Sequence, residues 1–336
     1  MKKIIPLALI AIYSFSIVSC KKDDQTPDVT PPPVVKRSDS LSLSANYVNE
    51  VYYSFTNGVV QTSPRSTWDI AFRTMKRSSS ILINDGAGVV LYTYPYADTT
   101  GWAVIDTAGI SMMKPLYNDP SDWENGAFSR NAKGHPDYGW GVYNDVTHNL
   151  IGDSIYIIKL RDKSFRKLWI VKKLSSLSTY VFRYANLDGT DEHTVTEDLS
   201  SLGATDFSGY SLMTHERISF EPVKSAWDLC FTKYMSVQND GSPYLVTGVL
   251  SNDSVKTKKF YPVALTYSDY GPGTWDSTRS SIGWDWKKFD MNTYTYKVVD
   301  STVYFVRQVK GNVYKLYFTG FGGSTNGNIK FEIEKK

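Results

Sequence analysis

Side chains that enzymes use for catalysis are present in this chain, but they do not occur in catalytic spacings. The sequence contains no G-x-S-x-G, no H-E-x-x-H and no P-loop, so the motifs of serine hydrolases, zinc peptidases and P-loop enzymes are absent. The acidic pairs Asp191-Glu192 and Glu197-Asp198 resemble glycosidase carboxylates only in type. Each pair is a local charge cluster typical of a solvated loop. We therefore predict a protein that binds and does not catalyse.

Imidazole and thioether groups are the remaining candidates for ligand binding. His135 lies in a loop rich in Gly and Asp, and His148 lies in a turn that leads into a strand. His193 and His215 lie near the middle of the chain, where we expect them to be solvated. The methionines are expected to fill the core unless another observation singles them out.

The N-terminus has the pattern of a secreted, lipidated protein. A basic start, Met1 to Lys3, precedes an apolar run from Ile4 to Val18. That run is shorter than the about 20 residues that span a membrane, and it predicts a signal peptide over residues 1–19. The run closes with Ile17-Val18-Ser19-Cys20, which resembles the lipobox of bacterial lipoproteins. The resemblance implies that Cys20 carries lipid and begins the mature chain.

Residues 20–40 follow as a polar, Pro-rich linker that includes Pro31-Pro32-Pro33. Proline favours an extended, semi-rigid chain, so this linker would hold the folded part away from the membrane. Charge and proline after a lipidated cysteine are also common in lipoproteins of the Bacteroidetes. The resemblance implies an outer-membrane lipoprotein of the cell envelope, exposed at the surface and held to the membrane by its lipid alone.

Charge and cysteine content exclude two further classes of protein. A net charge of +3 is too small to indicate nucleic-acid binding. The chain has two cysteines, and with Cys20 lipidated Cys230 has no partner for an intramolecular disulfide. Its apolar neighbours Leu229 and Phe231 predict a buried, inert thiol.

The chain contains one pattern twice. Residues 66–72 (STWDIAF) are matched 159 positions later by residues 225–231 (SAWDLCF). Further matches occur in the same order in both halves of the chain: Gly139-Trp140 with Gly283-Trp284, Asp153-Ser154 with Asp300-Ser301, and Lys167-Leu168 with Lys315-Leu316. Matches in register along both halves indicate a duplicated domain, since solenoid repeats are much shorter, about 20–50 residues.

We place the two domains at residues 41–197 and 206–336, with a turn-rich junction that begins near Asn186. The duplication predicts that Trp68 and Trp227 occupy equivalent buried sites.

Hydrophobic periodicity predicts β-strands throughout both copies. Apolar residues alternate over 303–309, Lys310-Gly311-Asn312 forms a turn, and residues 313–318 return, which is the signature of a hairpin. Residues 328–334 alternate as a last strand. The fold class is therefore all-β, with two tandem antiparallel β-domains and long loops.

These segments resemble the HmuY family of haem-binding lipoproteins of the Bacteroidetes. The resemblance is carried by a strand from Tyr52 to Val60 that leads into residues 68–72, by the Trp-bearing segment 283–286, and by the last strands after Val303. It spans both copies. It implies two HmuY-like β-domains whose long loops grip haem, with the iron held axially by His or Met. It also implies a TonB-dependent outer-membrane receptor as the partner.

In copy two the resemblance implies that Met291 is an axial ligand, because it follows Trp286 at the interval found in the family. The other ligand would come about thirty residues earlier. Residues 257–268, which lie there, contain no His and no Met.

In copy one, Met112 and Met113 fall near the first ligand position that the resemblance implies. The second position falls at Asn144-Asp145, with His135 and His148 on either side of it. The resemblance thus implies haem ligation by Met291 in copy two, or by Met112 or Met113 with His135 or His148 in copy one.

Two functions remain open. The first is a haem-binding or haem-scavenging lipoprotein, with haem or another small ligand; it predicts a His or Met pair converging on one cleft. The second is a cell-surface module that binds glycan or protein and has kept the fold without the haem site. It predicts an exposed aromatic or polar patch.

Overall fold

The computed structural model describes residues 36–238 and 240–336. The signal peptide, Cys20 and the linker up to residue 35 lie outside the described residues. The regular elements of the described chain are mostly β-strands, joined by turns and long loops, which confirms the all-β class. Within the part that is described, no helix has the length and hydropathy needed to cross a membrane.

The strands of the described residues are short and follow one another through turns and loops. They are β1 (Lys36–Ser42), β2 (Asn49–Ser54), β3 (Gly58–Pro64), β4 (Ile70–Arg73), β5 (Ile81–Ile83), β6 (Val90–Thr93), β7 (Gly141–Tyr143), β8 (Leu150–Gly152), β9 (Tyr156–Lys159), β10 (Phe165–Leu174), β11 (Thr179–Asn186), β12 (His193–Asp198), β13 (Phe207–Ser211), β14 (Glu216–Ile218), β15 (Leu229–Val237), β16 (Pro243–Ser251), β17 (Lys256–Phe260), β18 (Lys287–Asp290), β19 (Thr295–Val298), β20 (Val303–Arg307), β21 (Val313–Phe321) and β22 (Asn328–Lys335). One α-helical turn, α1 (Gly323–Asn326), joins β21 to β22. Short 3-10 helices cover Ala45–Tyr47, Asp85–Ala87, Thr99–Ala103, Ile110–Met112, Ala127–Ser129, Ser175–Leu177 and Lys224–Ala226.

The strands pair antiparallel in five sheets. One sheet has the order β1-β22-β21-β20-β17, and another has the order β12-β11-β10-β8-β7, with β9 paired to β10 and β6 to β9. Two four-stranded sheets have the orders β14-β13-β4-β5 and β16-β15-β2-β3. The last sheet is the hairpin of β18 and β19. The predicted hairpin turn at Lys310-Gly311-Asn312 is confirmed, since it joins β20 to β21.

Two hydrophobic cores divide these strands into two lobes. We call lobe 1 the strands β4 to β14, whose core residues lie between Ile70 and Leu212. We call lobe 2 the strands β1 to β3 together with β15 to β22, whose core is formed by residues 41–55 and 229–333. The described part of the chain therefore runs from lobe 2 through lobe 1 and back to lobe 2.

The strand pairings of the two lobes correspond with one exception: β8 pairs with β10 in lobe 1, whereas its counterpart β19 pairs with β18 in a separate hairpin in lobe 2. Strand β1 pairs with β22 as β12 pairs with β11, and β2 pairs with β15 as β13 pairs with β4. By these pairings the repeat units are β1 to β11 and β12 to β22, and in each lobe the first three strands of one unit join the later strands of the other. The domain bounds 41–197 and 206–336 stay a prediction, and the pairings connect residues across them.

The short connection between the repeats explains this exchange of strands. The turn-rich stretch 187–192 joins β11 directly to β12 as a hairpin. Closing a short hairpin loses less chain entropy than closing a long loop, so β12 pairs with its sequence neighbour β11. Strand β1 then pairs with β22, which lies at the other end of the chain.

The repeated tryptophans lie at equivalent positions in the two lobes, and both are buried. Trp68 and Trp227 are 7% and 5% exposed. The carboxylate of Asp69 accepts a hydrogen bond from the backbone N–H of Leu212 at 2.8 Å, and the aspartate after Trp227 accepts one from the N–H of Phe55, also at 2.8 Å. Each motif thus ties the start of a strand in one repeat, β4 or β15, to the end of a strand in the other repeat, β13 or β2.

Both faces of the central strands are covered. In β9, Tyr156 and Ile158 point into the main core of lobe 1, whereas Ile157 belongs to a cluster beneath the segment 92–113. In lobe 2, Phe305 is covered in the same manner by residues 260–275. Long loops therefore pack back onto their own sheets, because a strand with apolar residues on both faces needs cover on both.

Candidate functional site

The candidate site is built on the hairpin of β7 and β8 in lobe 1, where Tyr143 pairs with Leu150. The side-chain oxygen of Asn144 accepts two backbone N–H groups of the turn, at 3.0 and 2.8 Å. The last turn residue, His148, has a left-handed backbone (φ 56°). Its Nδ1 lies 2.7 Å from the hydroxyl oxygen of Tyr143. The turn therefore fixes the imidazole against the phenol.

His135 reaches the same tyrosine from the preceding loop. That loop runs beside β7, since the backbone N–H of Tyr143 donates to the carbonyl of Pro136 at 2.8 Å. The ring centres of His135 and Tyr143 are 5.3 Å apart, and Nε2 of His135 is 3.8 Å from the carboxylate of Asp145. Two of the predicted ligand residues, His135 and His148, therefore meet at one phenol ring.

Two neighbouring cavities flank this cluster. One has a volume of about 460 Å³ and includes His148, and the other has about 490 Å³ and includes His135. They share the lining residues Arg77, Ser79 and Tyr138. We call this pair of cavities the Tyr143 cleft. Its combined size falls within the range of small-ligand sites, about 300–1,000 Å³.

Cationic side chains line one wall of the Tyr143 cleft. Lys76 and Arg77 are exposed, whereas Lys173 is buried. The ammonium of Lys173 donates to the backbone carbonyls of Lys76, at 3.0 Å, and of Ser78, and burial lowers the pKa of Lys173 to about 8. Lys173 thus supports the backbone of this wall, and Lys76 with Arg77 can meet an anionic group.

The structure does not bring Met112 and Met113 to this cleft. Met112 is 88% exposed, at the end of a short 3-10 helix. Met113 is half-buried and packs on the cluster of Ile157, whereas Tyr143 packs on the opposite face of β9 with Ile158. Because successive residues of a strand point to opposite faces, the sheet separates Met113 from the two histidines.

Met291 lies in the turn between β18 and β19 in lobe 2 and is 69% exposed. The carboxylate of Asp290 accepts the backbone N–H of Asn292 at 2.9 Å. The nearby Lys297 ammonium lowers the pKa of Asp290 to about 2. All four histidines of the sequence lie in lobe 1, so this turn offers Met291 no imidazole from its own lobe.

A different cavity lies where the two lobes meet, but it is too small for an organic ligand. Both four-stranded sheets contribute to it, and its volume is about 60 Å³, enough for a few water molecules. Burial raises the pKa of Glu50 to about 7 and that of Glu221 to about 8. The Arg279 guanidinium beside them lies 4.5 Å from the centre of the Trp123 ring. We interpret this cavity as the polar contact between the lobes.

Sequence reasoning found both histidines of the cleft but missed Tyr143, Lys76 and Arg77. Lys76 and Arg77 occur in a polar stretch before β5 that resembles any surface turn. Cys230 is buried, as its neighbours predict, and burial raises its pKa well above the ordinary value for a thiol.

No family model matches the chain, and no curated protein matches its sequence. Among solved structures, the apo form of PinO from Porphyromonas gingivitis is similar over 51% of this chain and 96% of its own. The two chains are 14% identical, with a TM-score of 0.24. The site is therefore interpreted from its own geometry.

Proposed function

We propose that this protein is a non-catalytic lipoprotein that binds haem in the Tyr143 cleft. The observation that carries the proposal is the convergence of His135 and His148 on Tyr143, beside cavities with a cationic wall. The histidines are 13 positions apart in the sequence and come together only through the hairpin and the loop before it.

The chemistry of the cleft fits haem, a flat apolar ring that carries two carboxylates. Imidazole and tyrosine oxygen are both established ligands of haem iron. The hydroxyl of Tyr143 occupies Nδ1 of His148, so Nε2 of that ring is free to bind iron. Arg77 and Lys76 can pair with the carboxylates, and Tyr138 and Leu150 supply apolar wall.

The test is an absorbance titration of haemin into the mature protein. We expect a sharp Soret band for the wild type. In His148→Ala we expect a changed band and about tenfold weaker binding or more, since the variant lacks an imidazole that would hold the iron. A wild type that leaves the haemin spectrum unchanged would overturn the proposal.

Met291→Ala is the matched control, because Met291 is the ligand that the family resemblance implies in lobe 2. With the ligand in the Tyr143 cleft, Met291→Ala binds haemin as the wild type does. A spectrum that changes in Met291→Ala and not in His148→Ala would instead place the haem in lobe 2.

The proposal includes attachment by lipid at Cys20 to the outer membrane, exposure at the cell surface, and transfer of haem to a TonB-dependent receptor. The sequence pattern around Cys20 supports the attachment. Cys20→Ser should release the protein into the soluble fraction. Full retention of that variant in the membrane fraction would contradict the lipid anchor.

A second candidate function rests on the hairpin of β18 and β19, which exposes a patch of apolar and aromatic side chains. Tyr294 is 75% exposed, Met291 69%, Phe289 45% and Tyr296 37%. Exposed patches of this kind mark interaction surfaces, and this one suits a glycan or a protein partner. Phe289→Ala with Tyr294→Ala should abolish capture on glycan or protein arrays and leave haemin binding unchanged.

A further inference from the structure

Two histidines outside the Tyr143 cleft stack on one another at the edge of lobe 1. The ring centres of His193, the first residue of β12, and His215, in the turn between β13 and β14, are 4.1 Å apart. Nε2 of His193 lies 2.9 Å from a carboxylate oxygen of Asp191. One ligand atom from each of these three side chains lies within 4.8 Å of the others. The position of both histidines near the middle of the chain predicted that they are solvated, whereas the structure brings them into contact with one another.

Neighbouring groups hold the three side chains in place. The hydroxyl of Tyr184 lies 2.8 Å from Nδ1 of His215. The other ring nitrogen of His215, Nε2, is therefore the one that can bind a metal ion. The Arg166 guanidinium donates to the second carboxylate oxygen of Asp191 at 2.7 Å, which leaves the first oxygen directed at His193. Polar partners of this kind orient metal ligands in proteins.

The matching corner of lobe 2 lacks these side chains. The counterparts of His193 and His215, 157 positions earlier, are Lys36 and Gly58. Gly58 and His215 both have left-handed backbones, with φ of 77° and 60°. The same strand pairing thus forms with lysine and glycine at these positions, so the fold itself does not require the two histidines.

We propose that Asp191, His193 and His215 form a binding site for a divalent transition-metal ion of the zinc type. Imidazole and carboxylate are preferred ligands of such ions, and three protein ligands leave coordination positions open for solvent. The ion would take the place of the hydrogen bond between Nε2 of His193 and Asp191, and His193 would bind it as the neutral ring with its proton on Nδ1. Protonation of the imidazoles therefore competes with the metal, and binding should weaken in acid.

The experiment is a calorimetric titration of the tag-free mature protein with zinc chloride near neutral pH, repeated with cobalt to follow its absorption bands. We expect one equivalent of zinc to bind. His193→Ala and His215→Ala should each weaken binding by about tenfold or more, and Tyr184→Phe should weaken it by up to about tenfold. Absence of zinc binding by the wild type would overturn the proposal.

Two further variants distinguish this site from general binding by histidine. His193→Lys/His215→Gly introduces the lobe 2 residues, so it should keep the circular dichroism of the wild type and lose the metal. His135→Ala/His148→Ala removes the same number of imidazoles from the Tyr143 cleft and should bind zinc as the wild type does. Loss of zinc in the second double variant and not in the first would refute the assignment.

Discussion

The hairpins β7–β8 and β18–β19 occupy corresponding places in the two lobes but carry different chemistry. Trp140 and Trp286, 146 positions apart in the sequence, precede them and are both fully buried. The structural counterpart of Trp140 is therefore Trp286, and not Trp284 as the sequence match suggested. In both turns the first residue, Asn144 or Asp290, caps the following N–H groups through its side chain. The last turn residue is left-handed in both, with φ of 56° in lobe 1 and 52° in lobe 2.

The two hairpins have the same backbone pattern but carry different side chains. Tyr143 and His148 in lobe 1 correspond to Phe289 and Tyr294 in lobe 2. Lobe 1 thus presents a hydrogen-bonded phenol and imidazole, whereas lobe 2 presents exposed aromatic surface. The fold fixes where side chains stand, and their types decide what each lobe can bind. The two lobes therefore offer two similar positions that carry different side chains.

The largest predicted effect tests whether the lobes unfold together. Trp68→Ala and Trp227→Ala each remove a buried indole, and each should lower the free energy of unfolding by about 3–5 kcal/mol. Because each lobe contains strands from both repeats, we expect one cooperative transition in urea that either variant shifts. Val146→Ala, at a position 89% exposed, should shift it little. Two separate transitions, each sensitive to one variant, would contradict the interlocked arrangement.

The next largest effect on stability concerns a buried aspartate that both lobes contain but that has a different hydrogen-bond partner in each. Asp69 in lobe 1 accepts from the Arg161 guanidinium at 2.8 Å, whereas Asp228 in lobe 2 accepts from the side-chain amide of Gln308 at 2.8 Å. Burial raises the pKa of both aspartates, and Arg161 opposes this for Asp69.

Arg161→Met should therefore lower the free energy of unfolding by about 3 kcal/mol, because it leaves a buried carboxylate without its cation. Gln308→Leu should lower it by about 1 kcal/mol. Urea unfolding measures both losses. Arg161→Gln gives Asp69 the same kind of partner that Asp228 has in lobe 2, and its loss of free energy should lie between the other two. Equal losses in the first two variants would show that the cation has no special role in lobe 1.

The contact between the lobes predicts a dependence of stability on pH. Burial, together with the nearby Asp206, raises the pKa of Glu221 to about 8 in the folded protein, and in the unfolded chain it returns to about 4.3. The folded state therefore holds a proton that the unfolded state releases between these values. Stability from this group is complete below about pH 4 and is lost as the pH rises to about 8.

Glu221→Gln should remove this contribution, because its side-chain carbonyl can still accept the N–H groups of Asp206 and Phe207 and has no proton to lose. Between pH 5 and pH 8 we expect the wild type to lose on the order of 2 kcal/mol more than the variant. Urea unfolding at several pH values measures the slopes, and parallel slopes would exclude Glu221 as the titrating group.

The smallest effect on stability is expected for a variant that directly tests the difference between the two hairpins. Tyr143→Phe/His148→Tyr gives lobe 1 the residues of lobe 2, and it should change the free energy of unfolding by less than about 1 kcal/mol, since these positions are partly exposed. Haemin affinity should fall about tenfold or more because the imidazole is lost. If the affinity for haemin is unchanged and the free energy of unfolding changes, these residues stabilise the hairpin and do not bind haem.

The local sequence pattern predicted individual strands, but it did not predict which strands pair with one another. Alternation over Ile329, Phe331 and Ile333 predicted strand β22, and all three side chains are buried in the lobe 2 core. The exchange of strands could not be predicted, because the pattern of β1 is the same whichever sheet it joins. For the site, His135 and His148 were among the candidates, whereas Tyr143 between them was not.

By itself, the sequence determined the β-strand class, the hairpin turns and the repeat, because each depends on residues close together in the chain or on direct comparison of its halves. The tertiary structure decided that Lys36 pairs with Glu334, that His193 stacks on His215, and that both histidines of the cleft meet at Tyr143. Such contacts depend on which sheet edges remain open once the short loops have closed. That outcome is a property of the folded chain as a whole, since every local segment is compatible with more than one partner.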